Sequence, residues 1–401
     1  MQSREDTTPT GSSRRIEGID LLRGLAIFFV LMNHVNMRLV LAKMPYSAGL
    51  PRQLVKSMFW NGQYGVQMFF AVSGFLITSI TLRRWGSLKQ VSLGGFYRLR
   101  FARIAPLLVL LLSVLSVLHL ANVHNFVVPA KTGGLGRALL AALTFHVNLL
   151  EARRGYLPGN WDILWSLSVE EMFYLFFPLL CRLLGQGKLL VSVLIAFVVA
   201  GPFGRTILAH GNETWREYSY LGSMDAIALG CITALIVSRV RLSRPVLRGV
   251  GAAGAAIVVF ILGFSLQAYR WGLDRSGLDM TILAVGTCMF IAASAQAQLK
   301  FPRLLAPLLK IGEYSYEIYL THMFVVFILF DLFVSAGKPM GLVIVLFLAV
   351  TALSGVLGSA VASLYSEPMN RLLRSGLQNQ PGRLDVQAAA ASESESSASI
   401  P

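Results

Sequence analysis

One apolar run near the N-terminus, LLRGLAIFFVLMNHVNMRLVLA, carries two ionisable residues separated by ten positions, Arg23 and His34. An α-helix turns about 100° per residue, so a step of eleven brings His34 back to within roughly 20° of Arg23. The same step raises His34 about 16 Å along the helix axis. If the run spans a membrane, one helix face carries an arginine near the water boundary and a histidine near the midplane, where ionisable groups are usually kept for function. The alternative is an interfacial arginine and a histidine hydrogen-bonded within a bundle.

The composition indicates an integral membrane protein. Of the 401 residues, 55% are hydrophobic and only 14% are charged, whereas soluble domains carry about 25% charged residues. About ten apolar segments are long enough to span a bilayer, which predicts an all-α membrane bundle. These segments are roughly residues 20–41, 64–83, 100–121, 163–184, 189–209, 220–239, 247–268, 278–297, 311–334 and 340–365.

Ten spans would place both termini on one side of the membrane. Most of the 35 basic residues fall in the segments that share that side, which favours an N-in/C-in orientation by the positive-inside rule. The net charge of +15 is then explained by loops that face anionic lipid, and it requires no nucleic-acid partner. We interpret a later cluster as part of the same topological signal, namely Arg239, Arg241, Arg244 and Arg248.

One membrane domain, residues 18–375, is predicted to make up most of the chain. Residues 1–17 are polar and residues 376–401 are of low complexity, so both are predicted to be disordered. The outer segment 122–162 is long for a compact fold, and its apolar part, 136–150, is too short to span. The three cysteines lie in predicted spans without motif spacing, and we expect neither disulfides nor a metal site.

Depth along the predicted helices relates residues that are distant in sequence. His34 lies about 21 Å from the inner end of its span, and Glu170 lies about 10–15 Å from the outer surface. In a hydrocarbon core of about 30 Å these depths nearly coincide, and His322, at roughly 16 Å, is close to both. Two imidazoles and a carboxylate at one level predict a buried site for proton transfer. We take His34 and Glu170 as catalytic candidates and His322 as a substrate-binding one; the alternative is polar contact between packed helices.

The segment GGFYRLRFARIAPLL places Arg98, Arg100 and Arg103 at the inner mouth of the third span, level with Arg23. Guanidinium groups bind phosphates bidentately, so these four residues predict a site for a nucleotide-based donor such as coenzyme A. Arginines at inner helix ends are also what membrane topology requires.

On the outer side, Asp225 lies shallowly within the sixth span, and Asp162 and Trp165 lie at the start of the fourth. An acidic and aromatic mouth suits a hydroxyl-rich acceptor such as a sugar, and Asp225 is therefore a candidate substrate-binding residue. Interfacial tryptophan is also common in membrane proteins without such a role. The sequence shows no nucleotide P-loop, zinc spacing or nucleophile elbow.

These residues lie in blocks that resemble the acyltransferase-3 family of membrane O-acyltransferases over about residues 16–374. The blocks, in the family's order, are IDLLRGLAIFFVLMNH, YGVQMFFAVSGFLIT, FYRLRFARIAPLL, WSLSVEEMFYLFFP, MDAIALG, GEYSYEIYLTHMFVV and YSEPMNRLLR. The resemblance implies a ten-helix enzyme that takes an acyl group, commonly acetyl, from a cytoplasmic acyl-CoA. The acceptor it implies is a hydroxyl group, often on a cell-envelope glycan.

The resemblance also assigns individual residues. The family's arginine-x10-histidine motif falls on Arg23 and His34, its R-x-R motif on Arg98 and Arg100, and its usual glutamate on Glu170. One departure concerns the MDA block: the family often carries an arginine shortly before that aspartate, where this chain has Ser223 and Met224. This departure affects the expected acceptor more than the expected chemistry.

We therefore predict a multi-pass enzyme of the inner (plasma) membrane that moves acetyl from acetyl-CoA to a glycan, free or lipid-linked, without a metal. His34 would act as general base, with Glu170 orienting it, or would itself carry the acyl group. The alternatives are an enzyme that acylates a small molecule such as a macrolide, a lipid or sugar transporter, and a non-catalytic scaffold.

Overall fold

The computed structural model describes residues 15–378 and contains ten helices that are long and apolar enough to cross a membrane, as predicted. Within the described residues the fold is entirely helical, without strands. The long helices are α1 (Glu17–Leu41), α2 (Gly62–Trp85), α3 (Leu93–Leu120), α4 (Leu164–Leu184), α5 (Lys188–Arg205), α6 (Tyr220–Arg239), α7 (Arg244–Gly263), α8 (Leu278–Ala297), α9 (Ser315–Ser335) and α10 (Val343–Val361).

Short helices connect these spans. The outer segment 122–162 is folded, and its apolar part forms two short helices that do not cross the bundle. The short α-helices are Arg52–Phe59, Gly134–Leu143, Val147–Arg154, Gly159–Asp162, Glu213–Tyr218, Ser265–Arg270, Ala306–Glu313 and Glu367–Gln378; a π-helical turn, Ala362–Ser366, precedes the last of them.

Among the helix boundaries that differ from those predicted, two affect the site. Helix α3 begins at Leu93, before the predicted start at 100, because the Ser92 hydroxyl caps it by accepting the Gly95 N–H at 3.2 Å. The predicted ninth span, 311–334, is interrupted at Tyr314, where the short helix Ala306–Glu313 ends and α9 starts. The arginines near residue 100 therefore lie within α3, in its first turns.

Close packing between α2 and α6 depends on glycine. A β-carbon at Gly74 would lie 2.0 Å from the carbonyl oxygen of Ile227, and one at Gly230 would lie 2.1 Å from that of Ala71. Small residues at such contacts let two backbones approach within a membrane, where there is no hydrophobic driving force between helices. Helix α2, which lines the site described below, is therefore packed closely against α6.

The predicted disordered termini lie mostly outside the described residues, which leave out 1–14 and 379–401. At the C-terminal end, the last helix continues to Gln378, past the predicted boundary at 376. Helix α1 begins, and the last helix lies, on the same side of the ten-helix bundle; we call this side the N-terminal face.

Candidate active site

Helices α1, α2, α3, α4 and α9 enclose a cavity of about 990 Å³ at the N-terminal face. Apolar and aromatic side chains form much of its wall. Seven arginines also line it, namely Arg15, Arg23, Arg83, Arg84, Arg100, Arg103 and Arg374. We call this space the arginine cavity.

Two of the predicted donor-binding arginines are held in place by acidic and aromatic neighbours. Arg100 donates to Glu171 Oε1 at 3.1 Å, and its guanidinium carbon lies 3.7 Å from the centroid of the Tyr174 ring. Arg103 donates to Glu317 Oε1 at 3.3 Å and lies over a second tyrosine ring. A guanidinium has five N–H donors, so one carboxylate contact orients it and leaves donors for a ligand. For Arg100, the buried Nε has no hydrogen-bond partner among residues 15–378.

Arg23 is the least neutralised of the predicted arginines that line the cavity. Its nearest carboxylate oxygen is Asp20 Oδ1, at 4.0 Å, and its side chain retains 20% of its exposure. Both residues line the arginine cavity. Arg23 therefore presents a positive charge to the cavity with weak internal compensation.

Arg98 does not line the arginine cavity; it is exposed. Residues two positions apart on a helix point about 200° from each other, so Arg98 and Arg100 face opposite ways. Sequence reasoning missed four of the lining arginines. Arg83 and Arg84, in the last turn of α2, are a basic pair at a helix end like the α3 arginines, whereas Arg15 and Arg374 reach the cavity from the two ends of the domain.

The two predicted membrane histidines contact each other, with His322 Nε2 3.1 Å from His34 Nδ1. His322 is fully buried, and its Nδ1 lies 2.7 Å from the carbonyl oxygen of Tyr319. A carbonyl oxygen only accepts hydrogen bonds, so Nδ1 of His322 carries the proton and its Nε2 is an acceptor. His34 Nδ1 must then donate to His322, and this leaves the lone pair of His34 on Nε2.

Tyr319 connects the histidine pair to the arginine cavity. It lines the cavity, and its ring centroid lies 5.9 Å from that of His322. Its hydroxyl lies 2.7 Å from Ser166 Oγ, which also lines the cavity. The cavity thus extends from arginines at the N-terminal face to the layer of side chains beside the histidine pair.

Glu170 lines the arginine cavity beside Ser73 and Tyr174. His322, and not Glu170, lies at the Nδ1 side of the His34 imidazole, and the catalytic role of Glu170 stays a prediction. Arg100 forms its ion pair with Glu171, the residue that follows Glu170. The depth estimated from helical rise placed Glu170 level with His34, but it did not indicate the direction in which the side chain faces.

Asp225 lies in an internal polar cluster instead of an open mouth. Arg205 binds it with two hydrogen bonds of 2.8 and 3.1 Å, and Thr281 and Gln67 donate to the same carboxylate at 2.6 and 3.0 Å. Asp225 is fully buried, so an acceptor could reach it only by displacing these partners. The contacts of Asp225 are those of a structural ion pair, and its substrate-binding role stays a prediction.

Sequence reasoning also missed Arg205, whose partner lies 20 positions away on the next helix. Ser223 and Met224 directly precede Asp225, and the guanidinium that pairs with this aspartate comes from the end of α5. Arg205 lies at the end of an apolar helix, where arginine is also common as an interfacial anchor. Its position in the sequence therefore did not indicate a buried ion pair.

The predicted outer mouth is closed by packing. Trp165 stacks on Tyr218 with ring centroids 4.1 Å apart, and the Tyr218 hydroxyl donates to Asp162 at 3.3 Å. Burial raises the pKa of Glu151, in the outer segment, well above its usual range, and the charge of the nearby Asp162 adds to this. Trp165 and Asp162 therefore contact Tyr218 instead of lining an open mouth. Among the described residues, no group of three or more His, Cys, Asp or Glu side chains is placed to hold a metal ion.

Comparison with known proteins identifies relatives over most of the chain. The acyltransferase-3 family model, described as an acyltransferase domain, matches residues 16–359. The O-acetyltransferase OatA of Staphylococcus aureus strain NCTC 8325 is 26% identical over 338 residues, which cover 78% of this chain and 50% of the relative. The peptidoglycan O-acetyltransferase OatA of Listeria monocytogenes is 29% identical over 329 residues, covering 78% of this chain and 49% of the relative. The chain thus spans about half the length of these relatives, and no solved structure matches it.

Proposed function

Because this chain belongs to the acyltransferase-3 family, we propose that it is a membrane enzyme that transfers an acetyl group from acetyl-CoA to a hydroxyl of a cell-envelope glycan. A relative named as a peptidoglycan O-acetyltransferase supports a glycan acceptor of the peptidoglycan type. The single observation that carries the proposal is the arginine cavity, which leads from clustered guanidinium groups to the level of the His34–His322 pair.

The charge of the cavity favours a polyphosphate donor. Arg23, Arg100 and Arg103 line it from two helices, and the first two have guanidinium donors that no carboxylate fully occupies. Phosphate oxygens bind such groups with charge-assisted hydrogen bonds. We place the phosphates of coenzyme A at this end, with the pantetheine arm along the apolar wall. The predicted role of Arg98 would require a part of the donor that lies outside the cavity.

The reacting end of the donor is assigned to His34. His34 lies about 16 Å from Arg23 along the helix axis. This separation suits a donor whose phosphates bind at the N-terminal face and whose thioester lies deeper in the bundle, beside His34. The thioester must pass Tyr319 to reach the imidazole, so this side chain is the proposed boundary between donor and acceptor sites.

In the proposed reaction, His34 Nε2 takes the proton of the acceptor hydroxyl as its oxygen attacks the thioester carbonyl. The tetrahedral intermediate collapses with cleavage of the carbon–sulfur bond, and the proton on His34 passes to the departing thiolate of coenzyme A. His322 Nε2 accepts the Nδ1 hydrogen bond of His34 and stabilises its charged form. In a second route, His34 Nε2 attacks the thioester carbonyl, the carbon–sulfur bond breaks and coenzyme A leaves as the thiolate. The acceptor hydroxyl then attacks the acetyl-imidazole, which restores His34, and the hydroxyl proton passes to the thiolate.

Glu170 faces the same cavity and is proposed to act at the donor end, on the charge of Arg23 and Arg100, and not on His34. We further propose an N-in/C-in orientation in the inner membrane, with residues 18–375 as the catalytic domain. The basic N-terminal face would then receive cytoplasmic acetyl-CoA, and the acceptor would approach from the other side.

The experiment is transfer of label from radiolabelled acetyl-CoA to peptidoglycan glycan strands in membranes that contain the protein. We expect His34→Ala to lower transfer at least about 100-fold, since both routes need its Nε2. The matched control is His124→Ala, which removes an exposed histidine of the outer segment and should leave transfer unchanged.

Equal labelling by wild type and His34→Ala would remove His34 from the mechanism. No labelling by the wild type, with acetyl-CoA left intact, would contradict the enzyme and favour a transporter. Consumption of acetyl-CoA without labelled glycan would retain the donor and reject this acceptor, and a small-molecule hydroxyl would then be screened.

A further inference from the structure

A second cavity, of about 790 Å³, lies at the N-terminal face between the ends of α7 and α8, apart from the arginine cavity. Its mouth carries three arginines, Arg241, Arg244 and Arg248. Its walls are apolar and formed mostly by small residues, among them Gly251, Ala252, Ala255 and Ala293. We call it the α7–α8 cleft.

The three arginines of the cleft are exposed and, among residues 15–378, form no ion pair. Arg244 and Arg248 are four positions apart on one helix, so their side chains are neighbours, and like charges at this spacing repel. The positive-inside rule accounts for arginines in the loop, but it requires neither a cleft nor two of them on one helix face. An anion between them would offset the repulsion.

The backbone at the mouth of the cleft carries partial positive charge, like the three arginines. Helix α7 is 20 residues long and starts at the cleft, and its N-cap residue, Ser243, makes no side-chain cap. The uncapped N–H groups and the positive end of the helix dipole favour an anion there. The approach to the helix is fixed by Gln296, whose amide group binds Leu242 N–H and the carbonyl oxygen of Val240, each at 3.0 Å.

The interior of the cleft is suited to hydrocarbon. Further into the bundle, α7 and α8 touch, since a β-carbon at Gly254 would lie 2.7 Å from the carbonyl oxygen of Gly286. Toward the mouth the small side chains leave a groove between the helices, and Phe290 also lines it. A soluble anion would use only the mouth, whereas a molecule with a charged head and an apolar chain would use the whole cleft.

We propose that the α7–α8 cleft binds an anionic phospholipid, with its phosphate on Arg241, Arg244 and Arg248 and an acyl chain along the small-residue groove. Basic pockets between membrane helices bind such head groups on the face where anionic lipids are concentrated. The proposal is independent of the transferase activity, because the cleft shares no lining residue with the arginine cavity.

The test uses the full chain, purified in detergent, with cardiolipin, phosphatidylcholine or inorganic phosphate added. Bound lipid is counted by native mass spectrometry, and affinity is taken from the rise in the unfolding midpoint with ligand concentration. The variant Arg241→Gln/Arg244→Gln/Arg248→Gln should weaken cardiolipin binding about 100-fold, since each of the three basic residues near a lipid surface contributes about fivefold. The charge-matched control, Arg182→Gln/Lys188→Gln/Arg303→Gln, removes three exposed basic residues outside the cleft and should bind as the wild type does.

A second variant, Ala252→Phe, fills the groove without changing any charge. It should also weaken cardiolipin binding, and it keeps the test decisive if the triple variant fails to fold. The proposal would be overturned if the control lost as much affinity as the triple variant, or if phosphatidylcholine bound equally well. Stabilisation by inorganic phosphate equal to that by cardiolipin would reveal a soluble-anion site and would also overturn it.

Discussion

The arginine cavity and the Asp225 cluster both bring charged side chains into the helix bundle, but they differ in how those charges are partnered. Asp225 receives two hydrogen bonds from Arg205 and further ones from Thr281 and Gln67, and it is fully buried. Arg23, in contrast, faces a space of about 990 Å³, and its nearest carboxylate oxygen is 4.0 Å away. A buried charge with complete partners holds helices together, whereas a charge beside a void can bind a ligand.

The comparison predicts that loss of a partner in the Asp225 cluster affects the fold more than the chemistry. Asp225→Leu leaves Arg205 buried and unpaired, which should lower the free energy of unfolding by about 3–5 kcal/mol. We expect acetyl transfer per folded molecule to stay near the wild-type value. Denaturant titration in detergent, together with the labelled-acetyl assay, measures both quantities.

The double variant Asp225→Leu/Arg205→Met provides the control, because it removes both charges together. Replacing a buried ion pair by apolar residues is often neutral, so this variant should recover much of the lost stability. If the single variant folded normally but lost transfer, Asp225 would belong to the reaction and the structural assignment would be wrong.

Removal of an arginine that lines the cavity should weaken donor binding more than it affects the fold. Arg100→Gln deletes charge-assisted hydrogen bonds to the donor, each worth about 1.5–3 kcal/mol, so KM for acetyl-CoA should rise about 10- to 100-fold. The matched variant is Arg98→Gln, two positions away and outside the cavity. Measurement of KM for both decides whether the R-x-R motif acts through one arginine or through two.

A rise in KM for Arg98→Gln as large as that for Arg100→Gln would contradict the cavity as the whole donor site. Acetyl-pantetheine, which lacks the nucleotide phosphates, adds a further control. It should be used by wild type and Arg100→Gln with nearly equal efficiency, since the contact that the variant loses is a phosphate contact.

The smallest expected effect concerns the contact between the two histidines. His322→Phe keeps a ring in the bundle but removes the acceptor for His34 Nδ1–H, so both tautomers of His34 become available. We expect kcat to fall about tenfold, the loss of roughly one hydrogen bond to a charged group, with KM for acetyl-CoA unchanged. His322→Gln, whose amide oxygen can accept the same hydrogen bond, should restore part of kcat. A role in packing alone would change the protein yield and leave the kcat of both variants equal.

The sequence was sufficient for features that depend on one helix at a time. The ten spans, the shared face of Arg23 and His34, and the similar depth of His34 and His322 all follow from apolar length and helical rise, and the two imidazoles do contact each other. The same rotation shows that Arg98 and Arg100 cannot face one cavity.

The features that the sequence did not give depend on how helices are arranged around one another. Depth placed Glu170 level with His34, but the direction in which it faces is set by the packing of α4. The pairing of Arg205 with Asp225, and the approach of Arg374 to the cavity from the last helix, join segments with no pattern in common. Such contacts are invisible to periodicity and require the three-dimensional fold.

The proposed mechanism is tested by acetyl transfer in sealed proteoliposomes in which the protein has one orientation, verified by a tag at the N-terminus. Acetyl-CoA is supplied on one side and the glycan acceptor on the other, for wild type and His34→Ala. We expect labelled glycan only when acetyl-CoA is on the side of the N-terminus, where the arginine cavity lies, and none with His34→Ala. Transfer that required acetyl-CoA on the opposite side, or that persisted in His34→Ala, would contradict the proposed mechanism.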